Sequence, residues 1–449
     1  MALDCIAPEL LLSILTSLDS PQDLYSLVRA SPASWRVFLT WRKTILSLVI
    51  WNAFPDTIHH ALAILHIPKA PLGAEHPDIE DLKAFLDQYF QSDPWEFPTD
   101  LSSIISLTRW TVRISRFIDG YFDFAMRTLA MVHDHDGSWP LSRTERARLQ
   151  RAFLRFGIYC QVCPTFNDHP YRSFLPSNLQ FTYFLGKLEP WEVEEITCVY
   201  EYFTTTIEQY IIEMEGRFIR AVLTNPHLRA PPNHNLQDDQ VENREKSGIN
   251  RAGNMQDFSA LELTDLELFS TDSKDRLRDY ARYMASLGLE TLKDLLSSDT
   301  DRRWDIIRHE SPLWREFLPA ALEHAPKILS ETIIPGGDFT DSSSVPSRGW
   351  FEFKGVSYDL YLDIHVSGPI QRLVRICGYV FWGSKRVLRP SVYEAFKTAR
   401  SMREGIAARF YSSTRGKSAE KKLKGFQLPE SEMLKIMDEF GTKLSAETD

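Results

Sequence analysis

Three short stretches within residues 6–45 carry apolar side chains at helical spacing, and residues that end or begin helices separate them. In the first stretch the apolar residues recur every three to four positions, as Leu10, Leu11, Ile14, Leu15 and Leu18. Ser20 followed by Pro21 is a typical start for a second helix, and Ser31 followed by Pro32 ends it. Helices this short cannot each bury a face alone. The pattern therefore predicts three helices that pack together or against a partner.

These stretches resemble the F-box, a three-helix module that binds the Skp-type adaptor of cullin-RING ubiquitin ligases. The resemblance is carried by the entry sequence IAPELLLSIL from Ile6, by Asp23-Leu24 and by the closing Trp35. The chain departs from the family at Ala7, where members most often have proline. The resemblance implies an F-box-like module over residues 3–50. It also implies a set of adaptor-binding residues, namely Pro8, Leu10, Leu11, Ile14, Leu24 and Trp35.

Three later segments are similar to segments of F-box-like proteins from filamentous fungi. They are LSRTERARLQRAFLRFGIYC (Leu141–Cys160), PWEVEEITCVYEY (Pro190–Tyr202) and GYVFWGSKRV (Gly378–Val387). The function of most of those proteins is unknown. The resemblance therefore implies an architecture, a three-helix module followed by a large irregular helical domain, and little chemistry.

Helical periodicity dominates the rest of the chain and predicts a mainly α protein. Two segments that are polar or rich in Pro and Gly interrupt this periodicity, and the C-terminal segment is basic. The predicted organisation is an F-box-like module (3–50), a first half of a helical domain (51–224), a flexible linker or insertion (225–256), a second half (257–410) and a basic polar tail with a possible terminal helix (411–449).

Local signals give more detailed expectations for parts of this domain. Ser142 and Glu145 form a capping-box pattern at the start of a helix. The apolar spacing predicts a continuous helix from Arg42 to Ile67 and another over Pro369–Leu388. Residues within Gly349–His365 are expected to hold short extended pieces.

Composition limits the classes of function. The net charge of −10 and the pI near 5.7 disfavour a nucleic-acid-binding surface over the whole molecule. No apolar run approaches the ~20 residues that span a bilayer, and the start of the chain lacks the basic region of a signal peptide. Five cysteines in 449 residues are too sparse for a secreted disulfide framework. We therefore expect a cytoplasmic or nuclear protein that does not enter membranes.

The sequence offers few candidates for chemistry. Cys160-x-x-Cys163 has the spacing of two zinc ligands, but zinc needs four, and buried structural cysteines are the better interpretation. The run His133–Gly137 is interpreted as a solvated turn. Three glutamates at the start of one helix (Glu192, Glu194 and Glu195) are interpreted as favourable to its dipole. No nucleotide-binding, hydrolase or metalloprotease motif is present. The expected protein is not an enzyme and has no cofactor or metal.

The surface for a substrate protein is the least defined. Trp350 follows a loop rich in Pro, Gly and Ser, where a large aromatic is expected to be exposed, and it is the predicted substrate contact. The locally basic segment 384–424 is interpreted as a solvated helix face and tail, with nuclear import or an anionic partner as the alternative.

Two functions follow. The first is a substrate-recruiting subunit that binds a Skp-type adaptor. The second is a noncatalytic helical interaction scaffold whose F-box-like hairpin is absorbed into its core, which the helical continuation behind the module favours.

Overall fold

The computed structural model describes residues 6–69, 78–91, 95–133, 139–163, 175–224, 274–299, 302–303, 306–307, 317–326, 342–353 and 368–403. Throughout these residues the regular structure is helical, and none of them forms a strand. The predicted mainly α class is therefore confirmed. The predicted linker and basic tail lie outside the described residues.

The helices, in chain order, are α1 (Pro8–Ser17), α2 (Pro21–Ala30), α3 (Pro32–Ala53), α4 (Ile58–His66), α5 (Ile79–Phe90), α6 (Leu101–Val132), α7 (Arg143–Val162), α8 (Ser177–Tyr183), α9 (Pro190–Thr224), α10 (Lys274–Ser286), α11 (Leu289–Ser297), α12 (Leu318–Leu322), α13 (Arg348–Phe353), α14 (Pro369–Ile376), α15 (Ser384–Val387) and α16 (Pro390–Ser401). Two 3-10 turns, Leu185–Lys187 and Tyr379–Phe381, lie between them.

The first three helices, which we term the N-terminal module, pack mainly through α3, which contacts both α1 and α2. The side chain of Ser20 accepts a hydrogen bond from the Asp23 amide at 3.2 Å, and this caps α2 as the sequence predicts. Ser31 caps α3 in the same way through the Ser34 amide. The two serine-proline pairs therefore set where α2 and α3 begin.

The predicted continuous helix from Arg42 to Ile67 is wrong over four residues, because α3 ends at Ala53 and α4 begins at Ile58. Pro55 lies in this break and has no amide proton to donate to a helix. The ring of Phe54 beside it is buried. Apolar spacing alone did not reveal the break, since the buried residues continue through it.

The core of the helical domain lies where α6, α7 and α9 meet. Phe117 of α6, Phe153 of α7 and Phe203 of α9 place their ring centroids 5.3–5.9 Å apart. Helix α7 begins with the predicted capping box, in which Ser142 and Glu145 each bond the other's backbone amide. It is buried on most of its circumference rather than along one stripe.

The predicted helix over Pro369–Leu388 is interrupted. Helix α14 ends at Ile376, and Gly378 then adopts a left-handed conformation with φ of +76°. A Cβ at Gly378 would lie 2.7 Å from the ring of Trp382, so the turn needs glycine for space as well as for its backbone angle. The expected extended pieces in Gly349–His365 are also wrong up to Phe353, which ends α13; residues 354–367 lie outside the described part.

The chain forms two compact units. The first contains Met1–Phe203, Ser286–Glu290 and Arg315–Phe410. The second contains Thr204–Ala285, Thr291–Trp314 and Tyr411–Asp449. Within the second unit the hydroxyl of Tyr280 donates to the carbonyl of Ile307, and Arg303 lies over the ring of Tyr210. These units interleave along the chain, whereas the sequence suggested consecutive segments.

Candidate functional site

The structure divides the six predicted adaptor-binding residues into two groups. Leu11 and Leu24 are buried inside the N-terminal module, with 1% and 3% of their surface exposed. Exposed residues form the other group, which comprises Pro8, Leu10, Ile14 and Trp35. Sequence spacing could not make this division, because all six positions are apolar and fall on short helices. The exposed group alone is available to a partner.

Exposed apolar side chains are concentrated on the N-terminal module. Of the twelve large apolar side chains that are exposed among the described residues, eight belong to this module. They are Leu10, Ile14, Tyr25, Trp35, Leu39, Trp41, Leu48 and Trp51. Single exposed apolar residues are normal on a protein surface, whereas a concentration of them marks an interaction site. We therefore take the outer surface of the module as the candidate functional site.

A kink in α3 explains why this helix exposes so much apolar surface. Trp41 departs from helical geometry, with φ of −115° and ψ of 22°. Before the kink, Ser34 and Val37 face the interior. After it, the buried positions follow a different register: Ile45, Leu46, Val49 and Ile50. The buried face thus changes at Trp41, and apolar residues on both sides of the kink remain outside.

The charge of α3 differs from that of the whole chain. This helix carries Arg36, Arg42 and Lys43 and no acidic residue, in a protein whose net charge is −10. Arg36 and Lys43 are exposed, and Arg42 is half-buried. None of the three forms an ion pair with another described residue. The apolar face of α3 is therefore bordered by cations that have no carboxylate partner in the described part of the chain.

The N-terminal module is joined to the helical domain. Both α2 and α3 contact α6. The side-chain nitrogen of Gln150 on α7 donates a hydrogen bond to the carbonyl of Ala53 at 2.7 Å. The side-chain oxygen of Gln150 accepts a hydrogen bond from the hydroxyl of Thr57 at 3.3 Å. A cavity of about 690 Å³ lies at this junction. Its lining includes two acidic residues, Asp19 and Asp56, and two basic residues, Arg143 and Arg146. The module is therefore joined to the domain through α2 and α3, and the exposed Trp51 lies at this junction.

The predicted substrate contact, Trp350, is not on the surface. It is only 2% exposed and lies in α13, where its amide donates to the hydroxyl of Ser347 at 3.0 Å. Its ring packs edge-on against Trp191, with centroids 6.0 Å apart. The expectation that an aromatic after a polar loop is exposed is wrong here, because the loop leads directly into a short buried helix. Trp382 is also buried, and its indole donates to the carbonyl of Cys377.

Buried ion pairs are the largest feature that sequence reasoning missed. Glu194 accepts hydrogen bonds from Arg375 at 2.8 and 3.1 Å and from the hydroxyl of Tyr379 at 2.9 Å. Glu195 receives both arms of Arg151, at 2.9 and 2.6 Å. Glu192 lies in the first turn of α9, as the interpretation through the helix dipole requires, whereas Glu194 and Glu195 each also neutralise a buried arginine. The one sign in the sequence that these glutamates are buried was that they lie among the apolar residues of α9.

The same pairing removes Arg386 from the predicted basic surface. Arg386 is 6% exposed and binds Glu145 through two nitrogens, each 2.9 Å from a carboxylate oxygen. Burial would lower the pKa of the comparable Arg375, but the adjoining carboxylate of Glu194 outweighs it and raises that pKa. Arg375 therefore stays charged, and both arginines are paired with carboxylates inside the fold rather than exposed to a partner.

The cysteines and histidines do not assemble into a reactive centre among the described residues. Cys160, Cys163, Cys198 and Cys377 are all buried free thiols. Burial raises the pKa of the Cys377 thiol well above its ordinary value, so the thiol stays protonated at neutral pH. Across the described ranges, no group of three or more His, Cys, Asp or Glu side chains is placed to hold a metal ion.

Comparisons of this chain with protein-family models, with curated proteins and with solved structures find no match. Within the described ranges, every helix is too short or too polar to span a bilayer. The features of the chain that bear on function are therefore the surface of the N-terminal module and the resemblance of its sequence to the F-box.

Proposed function

We propose that this protein is an F-box-like subunit that recruits a substrate protein and binds a Skp-type adaptor of a cullin-RING ubiquitin ligase. The observation that carries the proposal is the concentration of exposed apolar side chains on α1–α3. Leu11, Leu15 and Leu24 already form the core of the module. The exposure of Leu10 and Trp35 to water adds nothing to the stability of the module on its own. A partner that covers these side chains accounts for them.

The burial pattern narrows the proposed contact set. Leu11 and Leu24 act inside the module, so the adaptor is expected to contact Pro8, Leu10, Ile14 and Trp35. Tryptophan is among the residues that most often dominate interface energies. Trp35, at 48% exposure and with its ring centroid 6.2 Å from that of Phe38, is the expected centre of the contact.

Co-expression with a Skp-type adaptor followed by size-exclusion chromatography tests the proposal. Leu10→Ala is the informative variant, because Leu10 is 61% exposed and its loss leaves the core intact. Leu388→Ala, at the C-terminal cap of α15 and outside the N-terminal module, is the matched control, at 55% exposure. We expect Leu10→Ala to weaken adaptor binding about tenfold, a change of 1.4 kcal/mol. Wild-type protein that fails to co-elute at micromolar concentration would remove the ligase function.

The compartment forms part of the proposal. Four buried thiols are free in the described part of the chain. Free cysteines persist in reducing compartments, which supports a cytoplasmic or nuclear location.

The interaction scaffold with an absorbed hairpin is the second candidate, and the contacts of α2 and α3 with α6 favour it. Limited proteolysis of the intact protein tests whether the hairpin is absorbed, and co-elution with the adaptor tests separately whether it binds. After cleavage between Pro68 and Pro77, an independent module dissociates on a native sizing column, whereas an absorbed one remains attached. We expect it to remain attached, because Gln150 of α7 donates to the carbonyl of Ala53 at 2.7 Å and both α2 and α3 contact α6. Release of the module on cleavage would exclude the absorbed arrangement.

A further inference from the structure

The first half of α3 combines an apolar stripe with positive charge. Trp35, Phe38 and Leu39 are spaced three and four residues apart before the kink at Trp41, so they share one side of the helix, and Arg42 follows directly after the kink. Trp35 and Leu39 are exposed, and Phe38 and Arg42 are half-buried. Arg36 lies directly beside this stripe and is exposed. We call these residues, together with Lys43, the α3 face.

The α3 face is chemically unlike the remainder of the protein. The chain carries 61 acidic and 51 basic residues, yet α3 has three basic residues and no acidic one over 22 positions. Its cations have no carboxylate partner in the described ranges. The buried Arg386 and Arg375 of the same structure, in contrast, are paired with glutamates. Unpaired cations at an exposed apolar stripe suggest that the missing carboxylates come from another molecule.

We propose that the α3 face binds an acidic amphipathic helix of a partner protein, whose apolar side chains cover Trp35 and Leu39 and whose carboxylates pair with Arg36 and Lys43. The inference rests on the proposed function in taking the module as the docking site, and it adds the chemistry of the partner segment. An amphipathic helix fits because an exposed helical stripe of this spacing is complementary to a second helix of the same period.

A protein segment is favoured over a nucleic acid. The face contributes only three cations, and the net charge of −10 opposes the approach of a long polyanion. Trp35 offers an aromatic plane on which a base can stack, but its exposed neighbour Leu39 is aliphatic and does not. A short acidic helix carries fewer charges and uses the aliphatic surface as well.

The test uses the full chain and two synthetic amphipathic helices about five turns long. They share one leucine and tryptophan face and carry either glutamate or lysine at the other positions. We expect the acidic peptide to bind the wild-type protein about tenfold more tightly than the basic one in calorimetry, and to lose affinity as ionic strength rises. Arg36→Glu with Lys43→Glu removes this preference. Lys385→Glu, at an exposed position of α15, is the matched control and leaves it unchanged.

Four results would overturn the inference: equal binding of both peptides, binding of neither, an undiminished preference in the charge-reversed variant, or displacement of the acidic peptide by an oligonucleotide of similar length. A wild-type dimer in light scattering that Trp35→Ala dissolves would assign the face to a second copy of the chain and would also overturn it. The adaptor is titrated in parallel. Acidic-peptide binding without adaptor binding refutes the ligase function alone, whereas adaptor binding that is insensitive to charge reversal refutes the α3 inference alone.

Discussion

The carboxylate of Glu194 binds three donors from a segment almost two hundred positions later in the chain. Arg375 supplies two of them and Tyr379 the third, and the side chains of Glu194 and Arg375 are each only 1% exposed. A buried ion pair contributes little net stability when it is intact, since both charges have lost their hydration. Its removal is costly, because the remaining charge stays buried without the group that balanced it.

Glu194→Gln is therefore expected to lower the free energy of unfolding by about 3–5 kcal/mol. The substitution keeps the size of the side chain and removes the charge that balances Arg375. The control is Asp119→Asn, which breaks the solvent-exposed pair with Arg146 and should cost at most about 1 kcal/mol. Urea unfolding followed by circular dichroism measures both. Similar losses for the two variants would contradict the argument from burial.

The module shows at the same scale why the candidate site was only partly predictable. Pro8, Leu10, Leu11 and Ile14 follow one another on α1, and each fits the apolar pattern equally well. Which of them faces inward depends on where α3 lies, and α3 changes its buried face at Trp41. This change depends on tertiary packing. The sequence could therefore identify the apolar residues of the module, but not which of them are buried and which are exposed.

At the scale of elements, the starts of helices were predictable wherever the signal is local. The caps at Ser20 and Ser142 each involve residues three positions apart, and both are present as expected. The interruption after Ile376 was missed although its signal is local, since the left-handed Gly378 packs against Trp382 four residues later. Glycines at 378 and 383 marked it, but the apolar spacing across them continued the helical pattern.

The contact between α13 and the 3-10 turn Tyr379–Phe381 gives a prediction at this scale. The amide of Gly349 donates to the carbonyl of Trp382 at 3.1 Å, and a Cβ at this position would lie 2.0 Å from the carbonyl oxygen of Tyr379. Backbone cannot move aside cheaply. We expect Gly349→Ala to lower the free energy of unfolding by about 3 kcal/mol.

Gly157→Ala in α7 is the matched control for this substitution. Its Cβ would meet the flexible end of Leu289 at 2.9 Å, and alanine is favoured over glycine in a helix by about 1 kcal/mol. Gly157→Ala should therefore stay within about 1 kcal/mol of the wild type. Thermal and urea unfolding measure both variants, and equal destabilisation would show that close approach to backbone is not what requires glycine at position 349.

At the scale of the whole molecule, some charged side chains form ion pairs inside the fold, whereas others lie on the surface beside apolar side chains. Inside the first unit, arginines of α7, α14 and α15 are neutralised by glutamates of α7 and α9 and join helices that are far apart in sequence. On the N-terminal module, basic residues border exposed apolar surface without such partners. The composition of the chain reported only the sum of −10. A total for the whole chain shows neither the long-range pairs nor the locally basic composition of α3.

Buried histidine makes the stability of the whole fold depend on pH. His60 of α4 is 2% exposed, and its Nδ1 lies 2.8 Å from the hydroxyl of Tyr89 on α5. Burial lowers the pKa of His60 well below 6.5, and the charges of Arg155 and Arg151 on α7 and the ring of His59 lower it further. Glu192 of α9 lies in the same cluster, paired with Arg155 at 2.7 Å. The imidazole is therefore neutral in the folded protein at pH 7.

In the unfolded chain the same imidazole takes up a proton as the pH falls through 6.5, whereas in the folded protein it does so only at much lower pH. The unfolded state then binds more protons, so the free energy of unfolding decreases as the pH falls below 6.5, by up to about 1.4 kcal/mol per pH unit for one histidine. Urea unfolding across this range measures the slope. His60→Gln should reduce the slope, and His133→Gln, at an exposed position, should leave it as in the wild type. If the slope in His60→Gln equals that of the wild type, protonation of this imidazole does not limit the stability of the fold in acid.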